Sequence, residues 1–339
     1  MFSRLRLSAL AALLSCGAIF PLQAASQQPG QVAEQQLRHI ATYFPGRMAG
    51  SPAEMLTADY LHHQFSELGY ETNKRNFSAD YPYQSQDGHS TPHNVTATSV
   101  IAARAGEVPQ QIVIITHADT YMPVSDRDRQ KNLGGLTLQG ADDNASGLGV
   151  MLELAQRLSK VPLHYSLRFV ALSGEETGHQ GEKDYLARMK PQEKKNTLLV
   201  ISLDSLIVGD KLYFDSGSNT PEAVARQTRD RALAIARQYN LAASTTGKAV
   251  KNQPTQDEFD KAGFPLLSIR ATNWDLGKKD GQQQRTLSRH FPQGISRYQA
   301  SLDNLTYLDR WLPGRITQRT RATVKILLPL ITGLANPTI

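Results

Sequence analysis

His117 and Asp119 (THADT), Asp142 and Asp143 (GADDNASG), Glu175 and Glu176 (SGEET) and Asp204 (ISLDS) are the residues of this chain best suited to chemistry. One imidazole and several carboxylates from four separate segments make a donor set for zinc. Two zinc ions sharing a carboxylate make a hydrolytic site. In an extended segment, residues two apart share a side, so Asp119 is placed to brace the His117 ring and fix its tautomer. Asp143 has two oxygens and suits a bridging position between ions about 4 Å apart. The Glu175–Glu176 pair offers one ligand and one general base, and Asp204 offers a terminal ligand. Each feature alone also has an ordinary reading: a buried histidine, an Asp142 or Asn144 helix cap, a solvated glutamate pair.

The elements that must position these groups follow from periodicity. Segments 111–116 (QIVIIT), 167–172 (LRFVAL), 198–203 (LLVISL) and 266–269 (LLSI) are apolar runs that predict buried strands. The chemical residues stand at, or just after, the first three, on the rim where open α/β sheets bind ligands. Helical spacing runs over 32–44 and 52–69, and a helix starts near Asn144. Another is expected over 220–239, opened by a Thr220 cap and Pro221, and a closing one over 316–334. The polar, turn-rich stretch 78–93 reads as a loop. The fold class is therefore α/β: a mixed, mainly parallel central sheet with helices on both faces.

Composition narrows the classes. Arg4 and Arg6, an apolar stretch over 7–20 and small residues at Ala24, Ala25 and Ser26 form a secretory signal pattern. The stretch is shorter than the roughly 20 residues that span a bilayer. The expectation is a signal peptide at 1–24, a single catalytic domain at 25–339, and a periplasmic or secreted product without stable membrane association. The sole cysteine, Cys16, falls in the signal, which excludes a cysteine nucleophile and thiolate zinc sites. The formal charge of +6 counts Arg4 and Arg6, and the remaining basic residues are interleaved with acids, so nucleic acid is not an expected partner. No Gly-x-Ser-x-Gly elbow is present.

Taken together, HAD, GADDNASG, SGEE and LDS resemble the secreted zinc aminopeptidases of metallopeptidase family 28. The resemblance runs from 46–51 (GRMAGS) to the last predicted helix. It implies a zinc-exopeptidase (phosphorylase/hydrolase-like) fold and two Zn2+ ions. His117 and Asp204 would hold one ion, Asp143 would bridge, and Glu176 would hold the other. Glu175 becomes the general base, Asp119 supports His117, and the Asp143–Asn144 peptide is cis. Peptide or protein N-termini are the implied partners. GLTLQGADDNASGLGVMLELA, NTLLVISLDSLIVGDKLYF and LPGRI are closer to one group within the family, which implies removal of an N-terminal residue, arginine for instance, from an exported phosphatase.

One departure stands out. The histidine that closes the family's second zinc site falls on Tyr298, or on Gln299 if the spacing is one shorter, and the only histidine after His179 is His290. Three readings stay open: a Tyr298 phenolate ligand, His290 as substitute, or a single zinc at His117, Asp143 and Asp204. Two functional alternatives follow, a catalytically impaired peptide-binding homologue and a single-zinc glutaminyl cyclase-like enzyme. The segment 257–265 resembles the family's substrate loop, and Asp257, Glu258 and Asp260 would favour a basic first side chain.

Overall fold

A computed structural model describes residues 27–246, 257–274 and 300–337. The expected signal peptide, His290, Tyr298 and Gln299 lie outside the described residues. Helices α1 (Gln31–Tyr43) and α2 (Pro52–Glu67) lead into strands β1 (Glu71–Gln84) and β2 (Ser90–Arg104). Then come β3 (Val108–His117), α3 (Asp126–Lys131), α4 (Ser146–Leu158), β4 (Tyr165–Leu172), α5 (Gln180–Arg188), α6 (Pro191–Asn196) and β5 (Thr197–Asp204). The rest comprises β6 (Lys211–Ser216), α7 (Glu222–Ala225), α8 (Arg231–Gln238), β7 (Ala243–Ser244), α9 (Glu258–Lys261), β8 (Leu266–Thr272), α10 (Leu305–Trp311) and α11 (Arg315–Ala335).

The strands form one eight-stranded sheet in the order β1-β2-β4-β3-β5-β8-β6-β7. The central strands β4, β3, β5 and β8 are parallel, while β1–β2, β2–β4 and β8–β6 pair antiparallel. The sheet is thus mixed with a parallel centre, as the alternation of strands and helices implies. Side chains alternate across it. Ile112, Ile114, Ile201, Leu203, Leu267 and Ile269 join the large core under α1, α4 and α11. Val113, Ile115, Val170, Val200 and Leu266 join a second core with Tyr185, Met189 and Phe259. Both faces being covered is why these strands read as unbroken apolar runs. Each fully buried aliphatic chain contributes about 2 kcal/mol.

Local polar groups fix the helices. Ser51 Oγ accepts the Glu54 N–H at 3.1 Å and so caps α2, and the Glu54 carboxylate reaches back to the Gly50 N–H at 3.0 Å, one residue before the cap. The buried Glu153 carboxylate accepts the Gly30 and Ala33 N–H groups at 2.9 and 2.8 Å and pairs with Arg157 at 2.7 Å. This supplies negative charge at the start of α1. Gly149 lets α4 approach that helix, since a Cβ there would lie 2.3 Å from the Ala33 carbonyl oxygen.

Three expectations need correction. Most of 78–93 is not a loop but the outer part of the β1–β2 hairpin, turning only between Gln84 and Ser90. Phe77, Ala79 and Tyr83 alternate inward there, a period hidden by prolines at 82 and 92 and by polar neighbours. The helix expected over 220–239 is interrupted by a wider π turn over Arg226–Asp230. Thr220 does not cap it: its hydroxyl donates to the Leu266 carbonyl and accepts the Leu266 N–H, tying the loop to β8.

Candidate metal centre

The C-terminal ends of three parallel strands converge. His117 ends β3, Asp204 ends β5, and the loop after β4 carries Glu175 and Glu176. Asp143 comes from the turn just before α4. His117 Nε2 lies 2.9 Å from Asp143 Oδ1 and 3.7 Å from Asp204 Oδ1. Its Nδ1–H donates to the Asp119 carbonyl at 3.0 Å, which leaves Nε2 as the nitrogen facing the two acids. Burial opposes a charge on this ring, but hydrogen bonding to Asp119, Asp143 and Asp204 outweighs it and raises the imidazole well above its ordinary value. A cation is therefore favoured at this spot, and a proton on Nε2 is the smallest one available.

The donor set fits zinc. One imidazole nitrogen and two carboxylate oxygens, from His117, Asp143 and Asp204, all lie within 4.8 Å of one another. Neutral imidazole with carboxylate oxygens is a zinc-type set, and partial burial limits competition from water. Asp143 and Glu176 also line one cleft with Tyr121, Ala300 and Asp303, which brings a second acid to the cleft that Asp143 faces. The described chain re-enters at Ala300, on the wall of that cleft.

Asp119 is fully buried and does two jobs. Its carboxylate Oδ1 is 3.5 Å from His117 Nδ1, farther than its own carbonyl. The same carboxylate accepts the Glu175 N–H at 3.3 Å and the Glu176 N–H at 3.2 Å. The bracing expected of the carboxylate is thus delivered mainly by the main chain, and the carboxylate instead anchors the glutamate loop. Glu175 directs Oε2 to His179 Nδ1 at 2.9 Å.

The turn that bears Asp143 is held from all sides. The Asp142 and Asp143 N–H groups donate to the two oxygens of Asp303 at 2.7 and 2.9 Å. Burial pushes Asp303 up to about 7, partly offset by those two donors. Asp142 is spent on the Ile207 N–H at 2.7 Å, and Asn144 accepts from Gly147 and Ser205 while donating to Thr116 and Leu203. Asp142 and Asn144 therefore brace the loop, and Asp143 alone of the three turns to His117. The Asp143–Asn144 peptide is cis.

Two residues that sequence reasoning gave no role to complete the frame. One is Asp303. The other is Arg47, fully buried, whose guanidinium donates to the carbonyls of Phe44, Ala118, Gln139 and Gly140 at 2.8–3.2 Å. Burial brings Arg47 down to about 10, so it remains charged near Asp303, Asp119 and Asp143. The expected acidic substrate loop is altered too. Asp260 is fully buried and bonded to Ser218 and Asn219, Asp257 caps α9 through the Phe259 and Asp260 N–H groups, and Glu258 pairs with Lys261 at 2.9 Å. Of these three, Asp260 is spent inside the fold and cannot meet a substrate.

The chain is similar to known proteins over most of its length. Residues 98–324 match the family description "Peptidase family M28". The chain is 55% identical over 343 residues to the "Alkaline phosphatase isozyme conversion protein" of Escherichia coli K12, covering 99% of each. Among solved structures, a zinc aminopeptidase from Bacillus subtilis superposes with a TM-score of 0.64 at 12% identity, covering 92% of this chain and 96% of that one. Porphyromonas gingivalis glutaminyl cyclase superposes with a TM-score of 0.61 at 16% identity, covering 90% and 98%. These two likenesses are of fold alone. By the extent of the family match and the identity of its full-length relative, the chain belongs to peptidase family M28 and is a peptide hydrolase.

Proposed function

We propose that this chain is an exported aminopeptidase, with a signal at 1–24 and one catalytic domain over 25–339, that removes single residues from peptide or protein N-termini. The observation that carries the reading is the meeting of His117, Asp143 and Asp204 beside a glutamate loop clasped by Asp119. His117, Asp143 and Asp204 would hold one zinc, with Glu176 and a bridging Asp143 holding a second, and Tyr298 or His290 as its further ligand. Zinc at such a site supplies Lewis acidity toward the scissile carbonyl and acidifies a water. Glu175 then takes the proton of the attacking water and returns it to the departing amine. Asp119 keeps Glu175 and Glu176 in fixed relation to His117, so that base and ligands share one frame.

The name of the 55% identical relative concerns isozymes of alkaline phosphatase. That name supports an alkaline phosphatase as the substrate here, and removal of an N-terminal arginine from it is the step we propose. The test is mass analysis of peptides incubated with the zinc-loaded protein and with Glu175→Gln. Loss of one N-terminal residue is expected, with kcat about 10²–10⁴-fold lower in the variant and its zinc content kept. Ring closure of N-terminal glutamine without cleavage would instead favour a glutaminyl cyclase, whose fold this chain shares. No turnover with zinc restored would favour a peptide-binding homologue.

A further inference from the structure

Behind the candidate base lies a histidine that the reaction above does not use. His179 precedes α5 and adopts a left-handed backbone, φ 59°. That region disfavours side chains with a Cβ, and glycine is its ordinary occupant. Its neighbours in the loop, Gly174 (φ 77°) and Gly178 (φ 94°), do follow that rule. His179 is the exception, and its ring is what the conformation delivers: Nδ1 stands 2.9 Å from Glu175 Oε2.

The backbone around this contact is tightly determined. The Gly178 and His179 N–H groups both donate to the Glu175 carbonyl at 3.1 Å, and the Gln180 N–H donates to Gly174 O at 2.9 Å. Gly181 packs on Ser173, where a Cβ would come within 2.0 Å of the carbonyl oxygen. The Asp119 carboxylate accepts the Glu175 N–H. Main chain and side chain of Glu175 are thus each held, the first by Asp119 and the second by His179. The contact is half sheltered, with 16% of the Glu175 side chain and 21% of the His179 side chain exposed.

We propose that His179 is a positioning residue for the general base: its Nδ1–H occupies Oε2 of Glu175, so that the carboxylate is held in one rotamer and Oε1 alone receives the water proton. The inference rests on Glu175 being the base, as argued above. It also accounts for a histidine where glycine would be the easier residue. Hydrogen bonding to Glu175 favours the charged ring, against the opposing effect of burial, with Glu258 adding to it and Lys261 subtracting. A free glutamate would sample several rotamers, and only some would suit proton transfer.

The test is His179→Gly, which suits the left-handed backbone and removes the ring. Wild type and variant are compared, both zinc-loaded, for kcat and KM on an aminoacyl chromogenic substrate, for bound zinc, and for thermal midpoint. We expect kcat to fall about tenfold, with KM and zinc content unchanged and the thermal midpoint unchanged or raised. An unchanged kcat would overturn the inference. So would a kcat that falls together with zinc content or thermal midpoint, because that pattern belongs to a residue needed only for the fold. If wild type itself releases no N-terminal residue, the aminopeptidase reading fails first and this one with it; an active wild type beside an equally active His179→Gly sinks this inference alone.

Discussion

Asp119 shows how much one carboxylate can coordinate. It lies beside His117 and accepts both glutamate N–H groups. An asparagine there keeps the shape but has one acceptor oxygen, so one of those N–H groups would face an amide. Asp119→Asn should weaken zinc binding about 10–100-fold, measured by competition with a chelator of known affinity. Unchanged affinity would mean that the main-chain contact to His117 suffices alone. At this scale the sequence was readable where local pattern marked a residue. His117, Asp204 and the glutamate pair sit at the ends of apolar runs. Arg47 and Asp303 were not readable as site residues. Their contacts reach across 71 and 161 positions, and nothing near either one signals a partner. His179 was hidden for another reason, since a left-handed histidine has no sequence signature.

Among the elements, the parallel strands declared themselves because burial on both faces makes them uniformly apolar. The hairpin arm did not. β2 pairs with β4 only from Val100 onward, so its earlier residues project past the end of β4 that carries the site. The arm is tied there by Gln180, which accepts the Asp80 N–H at 3.0 Å and donates to the Asp80 carbonyl. Its half-exposed strands mix proline and polar residues, which read as loop. Glu54 joins this arm to α2, accepting from Thr98 at 2.8 Å as well as from Gly50. Burial raises Glu54 from 4.5 to about 7, with the hydrogen bonds opposing. The sign is the reverse of a salt-bridged carboxylate. Between 4.5 and about 7 the folded state binds more protons than the unfolded one, so stability falls as pH rises through that window. The full cost, on the order of 3 kcal/mol, is present above it. Glu54→Gln cannot ionise and loses acceptor capacity by an amount that pH does not change. Its thermal midpoint relative to wild type should therefore climb between pH 5 and pH 8; parallel curves would refute the assignment.

Across the whole molecule, the sheet brings acids from distant segments to one rim, and Arg47 with Asp303 locks the intervening loops. Such crowding of buried carboxylates is unfavourable without positive charge. A ligand that binds only the folded chain stabilises it by mass action, about 4 kcal/mol at 1,000 times its Kd. Zinc should accordingly raise the thermal midpoint and a chelator should lower it reversibly, with the sheet and both cores intact at room temperature by circular dichroism. Among the described residues no helix is long and apolar enough to cross a membrane.

The most direct single measurement is zinc-edge anomalous diffraction from crystals of the zinc-loaded protein. An ion is expected among His117 Nε2, Asp143 and Asp204, with any second ion on the Glu176 side of Asp143. An anomalous map empty at that position, with His117 still hydrogen-bonded directly to Asp143, would contradict the metal centre and the chemistry built on it.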